Sequence, residues 1–134
     1  FKDEFYELPA CRQFPKPIQK PHVPIHFGGE SDAALQRAAD IGQGWYGFNL
    51  EPEGVVERLA RLDALLDANG RRRSDLSISV SPYLREMTPA KLEAYRRAGA
   101  DQVILIAFAR DRAAIASALG RLAQDYLPLA RRLA

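Results

Sequence analysis

The sequence predicts an α/β fold built on a parallel sheet, and three observations support it. Four apolar runs of strand length alternate with longer segments in which apolar residues recur at helical spacing. The fourth run, within residues 102–108, is continuous, which is typical of a parallel strand buried on both faces. At 134 residues, the chain fits one domain. That domain is either a small open sheet or half of an eight-stranded barrel, since a full barrel needs about 250 residues.

Turn and cap residues set the bounds of the predicted elements. The predicted strands cover residues 25–28, 45–48, 76–80 and 102–108. The helices that follow them are predicted over residues 31–42, 52–69 and 88–99, and from residue 111 onward. Ser31 can cap the first helix with its hydroxyl, and Thr88 with Pro89 starts the third. Pro128 predicts a kink or break in the fourth helix.

A proline-rich segment precedes the first strand. Five prolines lie between residues 9 and 24, and proline removes backbone donors and favours extended neighbours. We therefore divide the chain into a lead-in loop, residues 1–23, and four strand–helix units, residues 24–134. Because the sequence starts with Phe1 instead of methionine, we expect it to be the C-terminal piece of a longer protein.

Charge and composition exclude several function classes. The formal net charge of +2 is too small to indicate a nucleic-acid partner. The arginine clusters at residues 71–73 and 131–132 are interpreted as solvated turns or helix ends. No apolar stretch approaches the roughly 20 residues that cross a bilayer, so no membrane association is expected. The single cysteine, Cys11, excludes an internal disulfide, favours a reducing, cytoplasmic setting and is interpreted as a small apolar residue.

The most informative feature is the dipeptide Gly28-Gly29, which breaks the first strand and leads directly into a helix. Ligands of parallel α/β folds bind at the carboxyl ends of the strands. The unpaired N–H groups and positive dipole of a helix amino terminus suit a phosphate there. With Glu30 and Ser31, the glycines form a candidate phosphate site. The alternative is a tight turn that needs glycine for its conformation alone.

Aromatic and amide residues follow or lie on the other strands. Trp45, Tyr46 and Phe48 either wall a ring-shaped ligand or fill the interior of a barrel. Asn49 and Tyr83 each follow a strand and carry a hydrogen-bonding group. None of these residues identifies a reaction.

No catalytic residue and no metal site are predicted. His22 and His26 lack a Cys or nearby acidic residue at ligand spacing. His26 can bond a ligand or be a buried polar side chain with a backbone partner. The sequence contains no Ser-His-Asp order, CxxC pair, GxGxxG or Walker lysine. If the protein is an enzyme, the difficult chemistry is therefore expected to lie with a cofactor.

Three stretches are distinctive in the identity of their residues and not only in their periodicity. They are residues 15–31 (PKPIQKPHVPIHFGGES), 33–39 (AALQRAA) and 42–47 (GQGWYG). Together they resemble the bacterial luciferase-like monooxygenase family, and within it the flavin- or coenzyme F420-dependent oxidoreductases of actinobacterial type. The resemblance covers about residues 5–129. The family commonly has Gly-Asp-Gly-Trp where this chain has Gln43 in the acidic position.

The resemblance implies a (β/α)8 barrel of the TIM type, of which this chain is the C-terminal (β/α)4 half. It implies that Gly28, Gly29, Glu30 and Ser31 contact the phosphate of coenzyme F420 or, alternatively, FMN. The implied reaction is hydride transfer between the deazaflavin and a small organic substrate. The alternatives are an FMN-dependent monooxygenase that uses molecular oxygen and a noncatalytic half-barrel that acts in assembly.

The predicted half-barrel has two open sheet edges, which isolated proteins rarely tolerate. We therefore expect a partner to cover them. The partner is either an N-terminal half-barrel or a second copy of this chain, and a homo-oligomer is expected.

Overall fold

Strands and helices alternate in the computed structural model, which describes residues 1–12 and 14–133. The strands are β1 (His26–Gly28), β2 (Gly44–Phe48), β3 (Ser77–Ser81) and β4 (Gln102–Val103). The helices are α1 (Asp32–Ile41), α2 (Pro52–Ala68), α3 (Pro89–Arg97) and α4 (Arg112–Leu133), with a 3₁₀ turn at Arg73–Asp75. The predicted α/β class is confirmed. Apart from the fourth strand, the predicted bounds lie within about two residues of those observed.

The sheet keeps the order of the sequence, β1-β2-β3-β4, and each neighbouring pair is parallel. Phe27 lies opposite Trp45, and Trp45 lies opposite Ile78. Right-handed crossovers that always step in the same direction place every helix on one face of the sheet. This is the arrangement of a barrel sector. The half-barrel prediction is therefore confirmed over the small open sheet.

The core lies between the sheet and its helices. Alternate residues of a strand point to opposite faces, and Trp45, Ile78 and Val80 point into this layer, each at most 1% exposed. The helices contribute Leu35, Ala38, Ala39, Val55, Leu59, Leu62, Leu66 and Tyr95. Ala34, Ala38 and Ala39 of α1 are buried, as expected for a helix that lies close to the sheet.

The side chains on the opposite face of β3 are polar and small. They are those of Ser77, Ser79 and Ser81, which alternate with the core residues. Ser79 donates its hydroxyl to Gln102 Oε1 at 3.0 Å, which links β3 to β4. The half-barrel therefore presents a row of serines on the face that points away from its helices.

The predicted caps begin two helices. Ser31 Oγ accepts the N–H of Ala34 at 3.3 Å at the start of α1. Thr88 Oγ1 accepts the N–H of Lys91 at 3.2 Å at the start of α3, where Pro89 is the first helical residue. Local sequence thus fixes where these helices begin.

The fourth strand is shorter than predicted. Only Gln102–Val103 pairs as β4, whereas residues 104–108 form no strand. Ile104 donates its N–H to Val80 O at 2.8 Å, but β3 ends one residue beyond that carbonyl and no ladder continues. Because β4 is an edge strand, the expected burial on both faces is also wrong: Phe108 is 68% exposed.

The structure also bears on two smaller predictions. Helix α4 continues through Pro128, so the predicted break is wrong, whereas the predicted kink stays a prediction. The neighbouring Leu129 is buried. Cys11 is exposed and free, which differs from its interpretation as a small apolar residue. It lies in the lead-in, whose described residues, 1–12 and 14–23, place no side chain in the core cluster.

The arginine cluster at residues 71–73 lies in the turn between α2 and β3, as predicted, but the side chains of Arg71 and Arg73 are hydrogen-bonded within the protein. Arg71 donates to Ala39 O at 2.7 Å, at the carboxyl end of α1. Arg73 Nε donates to Asp63 Oδ1 on α2 at 2.6 Å. Only Arg72 is exposed. The second cluster, residues 131–132, lies in the last turn of α4, as predicted.

The lead-in contains one isolated antiparallel bridge, between Lys2 and Glu7, and no helix within its described residues. The division at residues 1–23 and 24–134 stays a prediction. Across the described ranges, no helix combines the length and apolar character that crossing a membrane requires.

Candidate functional site

The turn between β1 and α1 is held tightly against β2. Gly29 has a φ of +107°, and a Cβ there would lie 3.3 Å from the Ala34 Cβ. Its N–H donates to Tyr46 O at 3.3 Å, and its carbonyl accepts the indole N–H of Trp45 at 2.9 Å. Both backbone polar groups of Gly29 are therefore used inside the protein. Glycine meets a conformational need here, whatever else the turn binds.

The two residues after the glycines have different roles. Glu30 Oε1 accepts the N–H of Phe48 at 2.7 Å, so its carboxylate braces the end of β2. Ser31 caps α1. The first N–H groups of α1 have no partner within the helix and, with the helix dipole, favour an anion. The structure thus places all four predicted residues at the carboxyl end of β1, but the Glu30 side chain adds negative charge beside any phosphate.

Two residues at the same edge of the sheet have left-handed backbones although neither is glycine. Asn49, directly after β2, has a φ of 57°, and Tyr83, two residues after β3, has a φ of 56°. This conformation costs about 1–2 kcal/mol for an L-residue. Ser81, which is fully buried, holds both: its carbonyl accepts the Asn49 N–H at 2.8 Å and its hydroxyl accepts the Tyr83 N–H at 3.1 Å.

The aromatic residues of β2 divide between two faces. Trp45 is fully buried among the helices, so it fills the layer between sheet and helices and lies neither in the predicted barrel interior nor in the wall of a ligand site. Tyr46 and Phe48 lie on alternate positions, with ring centroids 6.4 Å apart, and the Phe48 ring lies 4.8 Å from that of Tyr83. We call Tyr46, Phe48 and Tyr83 the aromatic group. Phe48 is 43% and Tyr83 37% exposed, so this group is accessible to a ligand.

Side chains of the third unit fix the loop that follows β2. The guanidinium of Arg85 donates from Nε and Nη2 to Asn49 O, at 3.1 and 3.0 Å. Lys91 Nζ donates to Glu51 Oε1 at 3.0 Å, and Arg85 also contacts this carboxylate. The Asn49 backbone is therefore bonded at both its N–H and its carbonyl.

Tyr95 makes the same loop sensitive to high pH. Its fully buried side chain donates to Leu50 O at 2.6 Å. Burial, together with the Glu51 carboxylate, raises the pKa of Tyr95 from 10.0 to about 12. The unfolded chain therefore ionises first. The contribution of Tyr95 to stability is fully present below pH 10 and is lost as the pH rises from 10 to about 12.

We expect Tyr95→Phe to remove that loss of stability and to cost about 1–2 kcal/mol at neutral pH, because Leu50 O loses its donor. Urea unfolding across the alkaline range measures both effects. Tyr6→Phe, at an exposed tyrosine, is the matched control and should follow the unsubstituted protein. Parallel pH profiles for Tyr95→Phe and the unsubstituted protein would contradict the assignment.

Among the described residues, neither histidine belongs to a group of metal ligands. Within residues 1–12 and 14–133, no three His, Cys, Asp or Glu side chains are grouped to hold a metal ion. His26 is exposed, so its interpretation as a buried histidine is wrong. Its ring lies over Gly44, where a Cβ would come within 2.4 Å of Nδ1. His22 Nδ1 lies 2.7 Å from Val23 O.

Sequence reasoning missed Arg85 and assigned no role to Ser81. Ser81 ends an alternating strand, and that position was a usable signal, since strand ends are where ligands bind. Arg85 is one of 19 basic residues and belongs to no motif. Only the folded chain shows that it contacts Asn49 O.

The fold is that of a sector of a parallel α/β barrel, and the candidate site lies at the carboxyl ends of its strands. The chain belongs to the luciferase-like monooxygenase family, whose sequence pattern matches residues 1–133; the predicted family is confirmed. Uncharacterized proteins of Mycobacterium tuberculosis and Mycobacterium bovis are 37% identical over 71 residues, which is 53% of this chain and 24% of each relative.

Two solved structures share the fold. An F420-dependent secondary alcohol dehydrogenase, in complex with an F420-acetone adduct, has a TM-score of 0.72 at 12% identity, over 98% of this chain and 55% of the other. The F420-dependent tetrahydromethanopterin reductase from Methanopyrus kandleri has a TM-score of 0.62 at 12% identity, over 79% of this chain and 50% of the other. The chain thus spans about half of these structures, and its match covers about a quarter of the curated relatives.

Proposed function

We propose that this chain is the phosphate-binding half of an F420-dependent oxidoreductase, which transfers a hydride between the deazaflavin and a small organic substrate. The observation that carries the proposal is the edge where the amino terminus of α1 lies beside the aromatic group. Membership of the luciferase-like family supports an oxidoreductase, and both solved structures described above are named as F420-dependent. A cytoplasmic setting is part of the proposal.

The residues at this edge fit a phosphorylated cofactor. The amino terminus of α1 offers N–H groups and a hydroxyl at Ser31. Gly28 and Gly29 keep side chains away from the phosphate, while Glu30 orients β2 through Phe48 instead of binding the anion. When bound, the deazaflavin supplies the hydride chemistry. The chain binds the deazaflavin and orients it.

We also propose that an N-terminal half-barrel covers the open edges of the sheet. β1 and β4 each have one unpaired side, and exposed apolar side chains follow β4 in the chain, among them Phe108 and, on α4, Leu119. The proposal includes a homo-oligomer of the completed barrel. Light scattering distinguishes the alternative, in which two copies of this chain pair and bind no cofactor, as expected of an assembly module.

An FMN-dependent monooxygenase is the second candidate, because the matching family is described as luciferase-like monooxygenase. Absorbance spectra separate the two candidates, since bound FMN and a deazaflavin absorb differently. If the protein bound FMN but not F420, the FMN-dependent monooxygenase would be the favoured function. Binding of neither compound by the full-length protein would overturn both.

The phosphate site is tested with ligand pairs that differ by their phosphorylated part: F420 against its phosphate-free deazariboflavin, and FMN against riboflavin. We expect Ser31→Ala to raise the Kd of the phosphorylated ligand about tenfold, because a hydrogen bond to a charged group is lost. The Kd of the phosphate-free ligand should stay the same. Titrations followed by ligand fluorescence measure each value.

Thr88→Ala is the matched control, because it also removes a helix-capping hydroxyl. Both variants should lose about 1 kcal/mol of stability. Only Ser31→Ala should change the preference for the phosphorylated ligand. An equal change in both variants, or in neither, would place the phosphate elsewhere.

A further inference from the structure

We propose that Asn49 hydrogen-bonds the planar heterocycle of the ligand while the Phe48–Tyr83 ring pair packs against it, and that Arg85 and Ser81 are positioning residues for Asn49. The inference rests on the proposed function for the presence of a conjugated ring in the ligand. It concerns a part of the edge separate from the phosphate turn.

Backbone strain marks this place in the chain. Asn49 and Tyr83 have left-handed backbones at the carboxyl ends of neighbouring strands. Such conformations persist only where the surrounding structure fixes them, and they cluster at ligand-binding sites. The fixing contacts are the two bonds to Ser81 and the paired donation from Arg85.

The bonds to Asn49 leave its side chain as the group presented to solvent. Its N–H and carbonyl are held by Ser81 and Arg85, whereas the residue is exposed. A side-chain amide offers one acceptor oxygen and two donor hydrogens. It can therefore pair with a ring edge that carries a carbonyl beside an N–H, as the pyrimidine part of flavins and deazaflavins does.

The ring pair supplies the surface on which such a heterocycle packs. Phe48 and Tyr83 have centroids 4.8 Å apart and planes tilted by 48°, and both are more than one-third exposed. Exposed aromatic rings bind planar ligands by stacking and by edge contacts. Phe48 is itself held in place by the carboxylate of Glu30.

The distance between the phosphate turn and the Phe48–Tyr83 ring pair agrees with a single ligand that contacts both. Neighbouring strands lie about 4.8 Å apart, so the ends of β1 and β3 are about 10 Å apart. A cofactor with its phosphate at α1 and its ring near Tyr83 needs a flexible linker of that length. A ribityl chain with its phosphate ester is of this kind.

Asn49→Gly tests the assignment without adding backbone strain, because glycine adopts a positive φ freely. We expect the Kd of the phosphate-free ligand and that of the phosphorylated ligand to rise by the same factor, about tenfold. The midpoint of thermal unfolding should not fall. Ser31→Ala has the opposite signature, since it acts on the phosphorylated ligand alone.

Arg85→Met tests the positioning role. We expect it to raise the Kd of the phosphate-free ligand about threefold to tenfold in the unsubstituted protein. In the Asn49→Gly background the same substitution should add little, because Arg85 acts through Asn49. Arg97→Met is the matched control: Arg97 is exposed, and its ion pair is with Glu93 on its own helix.

The outcomes separate the two proposals. If Asn49→Gly binds the phosphate-free ligand with a Kd within twofold of that of the unsubstituted protein, the ring assignment is overturned, whatever the phosphate variants show. Additive effects of Arg85→Met and Asn49→Gly overturn the positioning role. Failure of the unsubstituted full-length protein to bind any of the four ligands overturns the proposed function and this inference together.

Discussion

Replacing Trp45 with alanine should lower the free energy of unfolding by about 4 kcal/mol. The indole is fully buried at the centre of the layer between sheet and helices. Truncation removes its apolar contacts and leaves a cavity. The backbone around the indole resists collapse, because β2 is paired on both sides. Urea unfolding followed by circular dichroism measures the change, since the only tryptophan fluorophore is lost.

Trp45→Phe divides this effect into packing and hydrogen bonding. Phenylalanine keeps most of the apolar contact but cannot donate to Gly29 O. We expect a loss of stability well below that of alanine, with about 1 kcal/mol from the missing bond. We also expect weaker binding of phosphorylated ligands, since the turn of Gly29 loses one of its two anchors. If the alanine variant lost less than about 1 kcal/mol, Trp45 would not have the central role in the core assigned to it here.

The second large effect is expected at Arg71, where alanine should cost about 2–3 kcal/mol. Its guanidinium lies 2.7 Å from Ala39 O and 2.6 Å from Gly42 O. The last carbonyls of a helix have no partner within it, and a cation there also favours the helix dipole. Thermal and urea unfolding measure the loss.

Arg72→Ala is the matched control, one residue away and exposed. Its stability should change by less than about 0.5 kcal/mol. The stability of Arg71→Lys should lie between those of Arg71→Ala and Arg72→Ala, because lysine keeps the charge but has no planar guanidinium that can bond two carbonyls at once. Equal losses for Arg71→Ala and Arg72→Ala would show that only net charge matters in this cluster.

The sequence was sufficient for those parts of the fold that depend on neighbouring residues. Ser31 and Thr88 were identifiable as caps because a cap bonds residues three positions away. The helices after each strand were identifiable from apolar spacing, and the serial order of the units predicted the parallel sheet. At the site, the same local reasoning placed Gly28 at the end of β1 and Gly29 in the turn before α1.

The parts that sequence reasoning missed depend on contacts between distant segments. Arg71 bonds carbonyls about 30 residues earlier, and nothing near it in sequence distinguishes it from Arg72. The length of β4 depends on where β3 stops, which the apolar run at residues 102–108 does not encode. Asn49 was noted for its position, but its left-handed backbone depends on Ser81 and Arg85.

The row of serines on β3 limits which half-barrels are interchangeable in protein engineering. Barrel interiors are filled in layers, mostly by bulky branched side chains. Ser77, Ser79 and Ser81 supply very little of that volume. A graft of this unit onto a half-barrel whose own inner side chains are also small would leave a void. A productive chimera therefore requires a recipient with large inward side chains opposite β3.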